Sequence, residues 1–373
     1  MTTYIEIHAI QNVPPANLNR DDTGAPKTAT YGGAVRGRVS SQSWKRAMRR
    51  HFNDQLDPKD VGRRSKQVVK LLMDAVVERD RDLEERAESL AVSALKAAGF
   101  DPKPKKGKKG EPDGTAELGY LLFVSQRQIA AVADVIVANA DAGDDKALVA
   151  AFKAAGVKNL LDADHSIDIS LFGRMVADAP DLNVDAACQV AHAIGVHEVV
   201  PEFDYFTAVD DVVEAAEEAG AGMIGTVEFY SSTFYRYAAV NLDQLATNLG
   251  DEKAVSMAVE SFVRAFVESM PSGKQNTFAS GTRPTAVLVT VAEGQPASLV
   301  GAFEEPVKDS LGYVKPAVGK LADHAREVFD TWRKPKEILV CGLPGDLSRL
   351  AELGDVVSFD ELAARAGKAG VAS

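Results

Sequence analysis

Leu18–Arg50 reads LNRDDTGAPKTATYGGAVRGRVSSQSWKRAMRR. Eight of its residues are basic (Arg20, Lys27, Arg36, Arg38, Lys45, Arg46, Arg49 and Arg50) and two are acidic, Asp21 and Asp22, a local balance of +6. The whole chain of 373 residues carries −12, so everything outside this stretch sums to −18. A positive island on an acidic protein predicts a polyanionic ligand.

The order of residues inside the island sharpens that expectation. From Val35 the chain alternates as a strand does, with Val35, Gly37 and Val39 on one face and Arg36 and Arg38 on the other. Ser40 and Ser41 then offer side-chain oxygens as an N-cap. Gln42–Phe52 reads as the helix they open, with Trp44, Ala47, Met48 and His51 on one arc. Lys45, Arg46, Arg49 and Arg50 lie on the opposite side. Upstream, Gly24, Pro26, Gly32 and Gly33 mark Asn19–Gly33 as a loop. Arginines on a strand, serines at a helix start and a basic helical face together favour a phosphate backbone over a merely solvated charged surface. Helix N-termini bind phosphate through unpaired amides and the helix dipole. Gly32–Gly33 would let backbone approach such a ligand closely. No G-x-x-x-x-G-K-[ST] sequence is present, which argues against a nucleoside-triphosphate site.

Hydrophobic residues make up 46% of the chain, ample for a core of one large or two or three smaller units. No apolar run approaches the roughly 18 residues that span a bilayer. The opening MTTYIEIHAIQ alternates like a strand and lacks the basic start of a signal peptide. Cys188 and Cys341 are not spaced for a metal knot and suit buried small residues in a reducing compartment. A soluble, cytoplasmic protein is expected.

Thr3–Ile10 reads as the first strand, with Ile5, Ile7 and Ala9 on one face. An α-rich block spans residues 60–165, with helices at Lys66–Ala98, Ser125–Asn139 and Asp144–Ala155. Within it Asp101–Gly114 is a loop whose five lysines are expected to be solvated. Ile167–Leu171 alternates as a strand and runs into Gly173-Arg174-Met175. Val184–Ile194 reads as a helix and His197–Gly225 as a projecting acidic arm. Glu228–Val240, EFYSSTFYRYAAV, is a strand or hairpin. Its aromatics Phe229, Tyr230, Phe234, Tyr235 and Tyr237 are expected as sheet core rather than base-stacking platforms, since the segment does not follow the RNP pattern. Asn241 caps a helix at Leu242–Leu249, and further elements follow at Lys253–Glu268, Arg283–Val291 and Lys320–Trp332. The order suits an α+β fold, a sheet with helices on one face, of ferredoxin-like or RNA-recognition type.

Support for catalysis is absent. His8, His51, His165, His192, His197 and His324 form no metal-binding spacing, and no G-x-S-x-G occurs. The pair Asp210–Asp211 suits a loop cap better than a divalent ion. No cofactor or metal is expected.

Several long motifs resemble a known family. LNRDD at Leu18–Asp22, Lys27, YGG at Tyr31–Gly33 and RVSSQSWKRAMRR at Arg38–Arg50 resemble the N-terminal signature of CasC, the backbone subunit of type I-E CRISPR Cascade complexes. DISLFGRM at Asp168–Met175, QVAHAI at Gln189–Ile194 and DYFTAVDD at Asp204–Asp211 follow in the same order. So do EFYSSTFYRYAAVNLDQL at Glu228–Leu245 and GKQNTFA at Gly273–Ala279. The lysine-rich loop at Lys103–Lys109 fits less well, and nothing is carried onto it. The resemblance implies a hand: a palm of residues 1–59, 166–196 and 228–373, a helical fingers insertion at 60–165, and a thumb at 197–227.

By the same resemblance, Arg20, Lys27, Arg38, Ser40, Gln42, Lys45, Arg46 and Arg49 would line the palm against RNA backbone, and the island reading adds Arg36 and Ser41. Met175, with Arg174 beside it, and Thr207 would sit at a kinked nucleotide. Lys274, Gln275 and Asn276 would complete the groove. The implied partners are CRISPR RNA, further copies of the chain stacked head to tail, other Cascade subunits, target DNA reached through the guide, and a trans-acting helicase-nuclease; no membrane is involved. The implied role is antiviral defence by RNA-guided DNA recognition, without catalysis. The competing readings are a metal-dependent ribonuclease that processes the same RNA, and an RNA-binding protein that acts alone.

Overall fold

The computed structural model describes residues 1–105, 114–208 and 223–370. It divides into two units, a sheet unit of Met1–His51, Cys188–Leu242 and Val259–Ser373, and a helical unit of Phe52–Ala187 and Asp243–Ala258. The divisions fall at 51/52, 187/188, 242/243 and 258/259, so residues 52–59, 166–187 and 243–258, expected in the palm, belong by contact to the helical unit.

The chain begins in the sheet unit with β1 (Thr3–Ala16), β2 (Thr28–Tyr31) and β3 (Ala34–Val39), then leaves it along α1 (Ser41–Gln55). The helical unit follows as β4 (Gly62–Ser65), α2 (Val68–Arg79), α3 (Ala87–Ala97), β5 (Leu122–Ser125) and α4 (Gln126–Ala138). Its last elements before the chain returns are α5 (Asp145–Ala154), α6 (Val157–Leu160) and α7 (Ile167–Phe172). The apolar residues recur at helical spacing and so form one stripe per helix. Val68, Leu72 and Val76 of α2 meet Leu90 and Ala94 of α3, Val132 and Ile136 of α4, and Leu148 and Phe152 of α5 in a single core. Ser125 and Gln128 close a capping box on α4, satisfying two of its orphan amides reciprocally. Part of the expected lysine-rich loop, residues 106–113, lies outside the described residues.

Ile167–Leu171 is helical, not the expected strand. The alternation of IDISL does not mark an inside and an outside face, because all five residues are buried. The Asp168 carboxylate is consumed inside, accepting from Gly62 N at 2.8 Å and Ser166 Oγ at 2.7 Å.

Back in the sheet unit come β6 (Cys188–Val190), β7 (Ala193–Glu198), β8 (Glu202–Ala208) and β9 (Met223–Asn241). The helix expected at Val184–Ile194 is therefore replaced by strand. Cys188–Val190 pairs with Ala238–Val240 of β9, and that tertiary pairing overrides the local helical pattern. The chain continues through α8 (Leu242–Leu249), α9 (Glu252–Glu268), α10 (Gln275–Phe278), β10 (Ala286–Glu293) and α11 (Val314–Thr331). It closes with β11 (Glu337–Gly342), α12 (Pro344–Leu347), β12 (Asp355–Val356) and α13 (Phe359–Ala369).

The main path of the sheet runs β12-β11-β10-β1-β9-β7-β3-β2, with β6 and β8 also paired to β9. β1 is central and antiparallel to both β10 and β9. Its register against β9 slips between Val13 and Ala16. Pro14 and Pro15 stand there, and proline cannot donate to the ladder. β8 and β9 form a hairpin from Glu202↔Phe229 to Ala208↔Met223, which overlaps the arm expected at His197–Gly225 and runs past it to Phe229. The segment 209–222, which includes Asp210–Asp211, lies outside the described residues.

Helices cover both faces of the sheet rather than the one expected. Tyr235, Tyr237, Ile10 and Leu288 pack under Ala317, Val318, Leu321 and Ala325 of α11. On the opposite face Phe234 meets Trp44 of α1. Arg236, also on that face, is sandwiched with its guanidinium carbon 3.6 Å from the Trp44 ring centre and 4.3 Å from that of Phe266 in α9. The apolar stripe of α11 needs a partner, and the tyrosines supply it. Tyr230, Phe234, Tyr235 and Tyr237 are accordingly sheet core.

Candidate nucleic-acid interface

The island begins with a loop that builds itself. Asp21 Oδ1 accepts from Thr23 N at 2.9 Å, Thr23 Oγ1 at 2.8 Å and Ala25 N at 3.0 Å. Those bonds, the Thr23 hydroxyl first, hold its carboxyl below the ordinary value. Asn17, fully buried, ties the loop inward by donating to Gly24 O at 3.0 Å and Glu228 O at 2.8 Å. The backbone at Arg20 bridges to Pro26, leaving the Arg20 side chain exposed.

Tyr31 and Ala34 pair across Gly32 and Gly33, whose φ values of +57° and +74° make a two-residue hairpin turn. A Cβ on Gly32 would lie 1.6 Å from Glu304 O. The glycine therefore permits close approach of the chain to itself, and the expected approach to a ligand is not what occupies Gly32.

Strand β3 separates the two arginines that alternation placed together. Val35 is exposed and Arg36 fully buried, whereas Gly37 and Val39 are buried and Arg38 half-buried, so the expected two faces do not hold across the register shift between Arg36 and Arg38. Arg36 Nη1 donates to Gly195 O at 2.9 Å, and Nη2 donates to Phe303 O at 3.1 Å and Glu304 O at 3.2 Å. Its two terminal nitrogens are committed to carbonyls of the fold and the side chain is fully buried, so Arg36 does not belong to a surface for phosphate. Arg38 is half-buried and stays at the surface, with Nε donating to Thr28 O at 3.0 Å and Nη1 lying 3.1 Å from His192 Nδ1. Burial, then the charges of Arg38 and Lys27, lower the pKa of His192. Those three side chains thus share one electropositive patch.

Two residues outside the expected set organise this patch. Tyr230 Oη donates to Lys27 O at 2.8 Å and accepts from Arg38 N at 3.1 Å. Asn19 Oδ1 accepts from Ser40 N at 2.8 Å, joining the loop to the helix start. Ser40 is the N-cap: its Oγ accepts from Ser43 N at 3.3 Å, and its carbonyl accepts from Trp44 N. On α1, Trp44, Ala47 and Met48 are buried, as periodicity predicts. Gln42 and Arg46 are exposed, and Ser41, Lys45 and Arg49 are half-exposed.

A third segment joins the first two. Gly273 packs so tightly on the Leu18 backbone that a Cβ would come 2.2 Å from Leu18 O. Arg50 Nη1 donates to Ser272 Oγ at 3.4 Å. The following Lys274–Ala279 turn holds Lys274 at φ +51° and Ala279 at φ +47° around the single helical turn α10. Non-glycine residues rarely adopt that conformation, and its use at both ends presents Asn276 to solvent with Lys274 and Gln275 half-exposed. The structure therefore brings together Arg20, Lys27, Arg38, Ser40 and the basic face of α1 with the Lys274–Asn276 turn, all within the sheet unit.

The remaining expected residues stand elsewhere. Thr207 is exposed on β8, in the β8–β9 hairpin. In the helical unit Met175 is exposed, but Arg174 is buried and donates from Nε to Leu182 O at 2.8 Å, so the latter is not offered to a ligand. Among the described residues, no group of three or more His, Cys, Asp or Glu side chains could hold a metal ion. No described helix is long and apolar enough to cross a membrane.

The CT1975-like protein family matches the chain over residues 5–364. No curated protein matches it. Among solved structures, a chain of a "CRISPR RNA-guided surveillance complex, pre-nicking" is 34% identical and superposes with a TM-score of 0.82, covering 97% of this chain and 100% of that one. A chain of a second "CRISPR RNA-guided surveillance complex" is 29% identical, with a TM-score of 0.71 and coverage of 97% and 99%. The chain belongs to the CT1975-like family, the CasC-like components of CRISPR RNA-guided surveillance complexes.

Proposed function

We propose that this chain is the non-catalytic backbone subunit of a type I-E Cascade complex, which holds CRISPR RNA and presents it for pairing with target DNA. The observation that carries the reading is the convergence of three cationic segments around the N-terminus of α1 on a chain of net charge −12. Lysines, arginines and helix amides position a strand by its phosphates and carry no sequence information. A guide holder needs that division of labour, because base pairing reads the target. The strand order β10-β1-β9-β7, with α1 between β1 and β7 in sequence and α9 between β9 and β10, supports a ferredoxin-like palm. In this reading the helical unit supplies the fingers and the β8–β9 hairpin the thumb. Copies stack head to tail along the spacer, an arrangement that stays open when its rotation does not close. Other Cascade subunits complete the complex, which recruits a helicase-nuclease in the cytoplasm.

The test is co-expression with a CRISPR array, followed by absorbance at 260 and 280 nm, sequencing of the bound RNA and incubation with Mg²⁺. Spacer RNA of defined length, co-purifying with sister subunits and left intact, is the expected result. Clean cleavage of repeat RNA would favour the ribonuclease reading, and arbitrary cellular RNA without sister subunits would favour a protein acting alone.

A further inference from the structure

Met175 is 83% accessible, yet Arg174 and Val176 on either side of it are 5% and 1% accessible. The backbone around it is pinned. Arg174 N donates to Val184 O at 3.0 Å, and Arg174 O accepts from Val184 N at 2.8 Å. Asn183 Oδ1 accepts from Val176 N at 2.6 Å. Gly173 adopts φ +77°, and a Cβ there would lie 2.8 Å from Val184 O, so this close pairing admits only glycine.

The Arg174 side chain runs inward from the same point. Besides Leu182 O, it reaches Phe123 O from Nη1 at 3.5 Å and Asp162 Oδ1 from Nη2 at 3.2 Å. Three acceptors in different directions suit the rigid guanidinium fork and no other side chain. His165 backs the carboxylate, with Nε2 3.9 Å from Asp162 Oδ1. Burial, followed by the Arg174 charge, lowers the pKa of that imidazole.

We infer that Arg174 is a positioning residue, which touches no RNA and, with Asp162 and Asn183, fixes the backbone from which Met175 projects as a wedge against the guide. The inference rests on the reading of Met175 as the residue at the kinked nucleotide. An apolar side chain inserted between bases must repay unstacking, and one carried on a fixed backbone loses less freedom in doing so.

The experiment is nucleotide-resolved 2′-hydroxyl acylation of the guide in the assembled complex, alongside RNA affinity at several salt concentrations. Wild type is expected to show periodic reactivity maxima, and M175A to flatten them about threefold. R174Q and N183A should flatten them comparably with RNA affinity and salt slope unchanged, and M175A/N183A should be no flatter than M175A. If N183A and R174Q keep the periodicity that M175A loses, the inference fails while the reading of Met175 stands. Periodicity retained in M175A would sink that reading and the inference with it. A salt slope lower by about one unit in R174Q would assign Arg174 to a phosphate and overturn its positioning role. Should R174Q fail to assemble, N183A decides, because Asn183 is itself exposed and its replacement removes one hydrogen bond and no buried side chain.

Discussion

At the scale of single residues, the arginines of one short segment divide into structural and surface roles. Arg36 spends both terminal nitrogens on three backbone carbonyls, while Arg38 remains half-exposed beside Lys27 and His192. Replacing Arg36 with Met removes the donor from the buried contacts at Gly195 O and Phe303 O, so R36M should lose about 2–4 kcal/mol of stability. Thermal denaturation would show it, and the salt slope of RNA binding by the folded fraction should not change. Alternation placed the two arginines on one face because nothing local reveals that Gly195, Phe303 and Glu304, far away in sequence, close around the first. Tyr230 was legible as core but not as part of this patch, for the same reason. Its aromatic neighbours mark it as core, but the hydroxyl that joins Lys27 to Arg38 is an outcome of tertiary folding.

At the scale of elements, α1 was legible from its own residues. Ser40 caps it, Trp44, Ala47 and Met48 bury one side, and the cations occupy the other. Removing the cap in S40A should cost about 1 kcal/mol, measured by denaturant titration. S40D keeps an acceptor for Ser43 N and, with Ser40 only 6% accessible, should recover part of that stability. It also puts a negative charge where a phosphate would sit, so its RNA affinity should fall below that of S40A. An S40D protein that binds RNA as well as wild type would remove the helix start from the interface. Elements whose form depends on distant partners were not legible. Ile167–Leu171 becomes helical around the internally bonded Asp168, and Cys188–Val190 becomes strand because β9 offers it a ladder. The GKQNTFA turn could be located by motif, but its contact with Leu18 rests on Gly273 and required the fold to be seen. G273A should separate that turn from the island, weakening RNA binding more than it lowers the melting temperature.

At the scale of the molecule, the buried sheet links stability to pH. His8 is fully enclosed, 2.8 Å from Tyr235 Oη, and burial pushes its pKa down to about 3. The unfolded chain takes up a proton near pH 6.5, whereas the folded chain resists it. The stabilisation is therefore complete above 6.5 and is lost as pH falls towards the folded value, at about 1.4 kcal/mol per pH unit. The melting temperature should drop between pH 7.5 and 5.5, and H8Q should show a shallower drop. An equal slope in H8Q would mean that His8 is not the group responsible.

Charge is the other property of the whole chain. The residues outside the +6 island sum to −18, a balance that predicts repulsion of nucleic acid away from the island. The most direct test of that account is the salt dependence of affinity for two guide RNAs of unrelated spacer sequence, compared between wild type and K45A/R49A. The account predicts equal affinity for both spacers and a slope reduced in the variant by about 0.7–0.9 unit per lost phosphate contact. An unchanged slope, or an affinity that follows the spacer sequence, would contradict it.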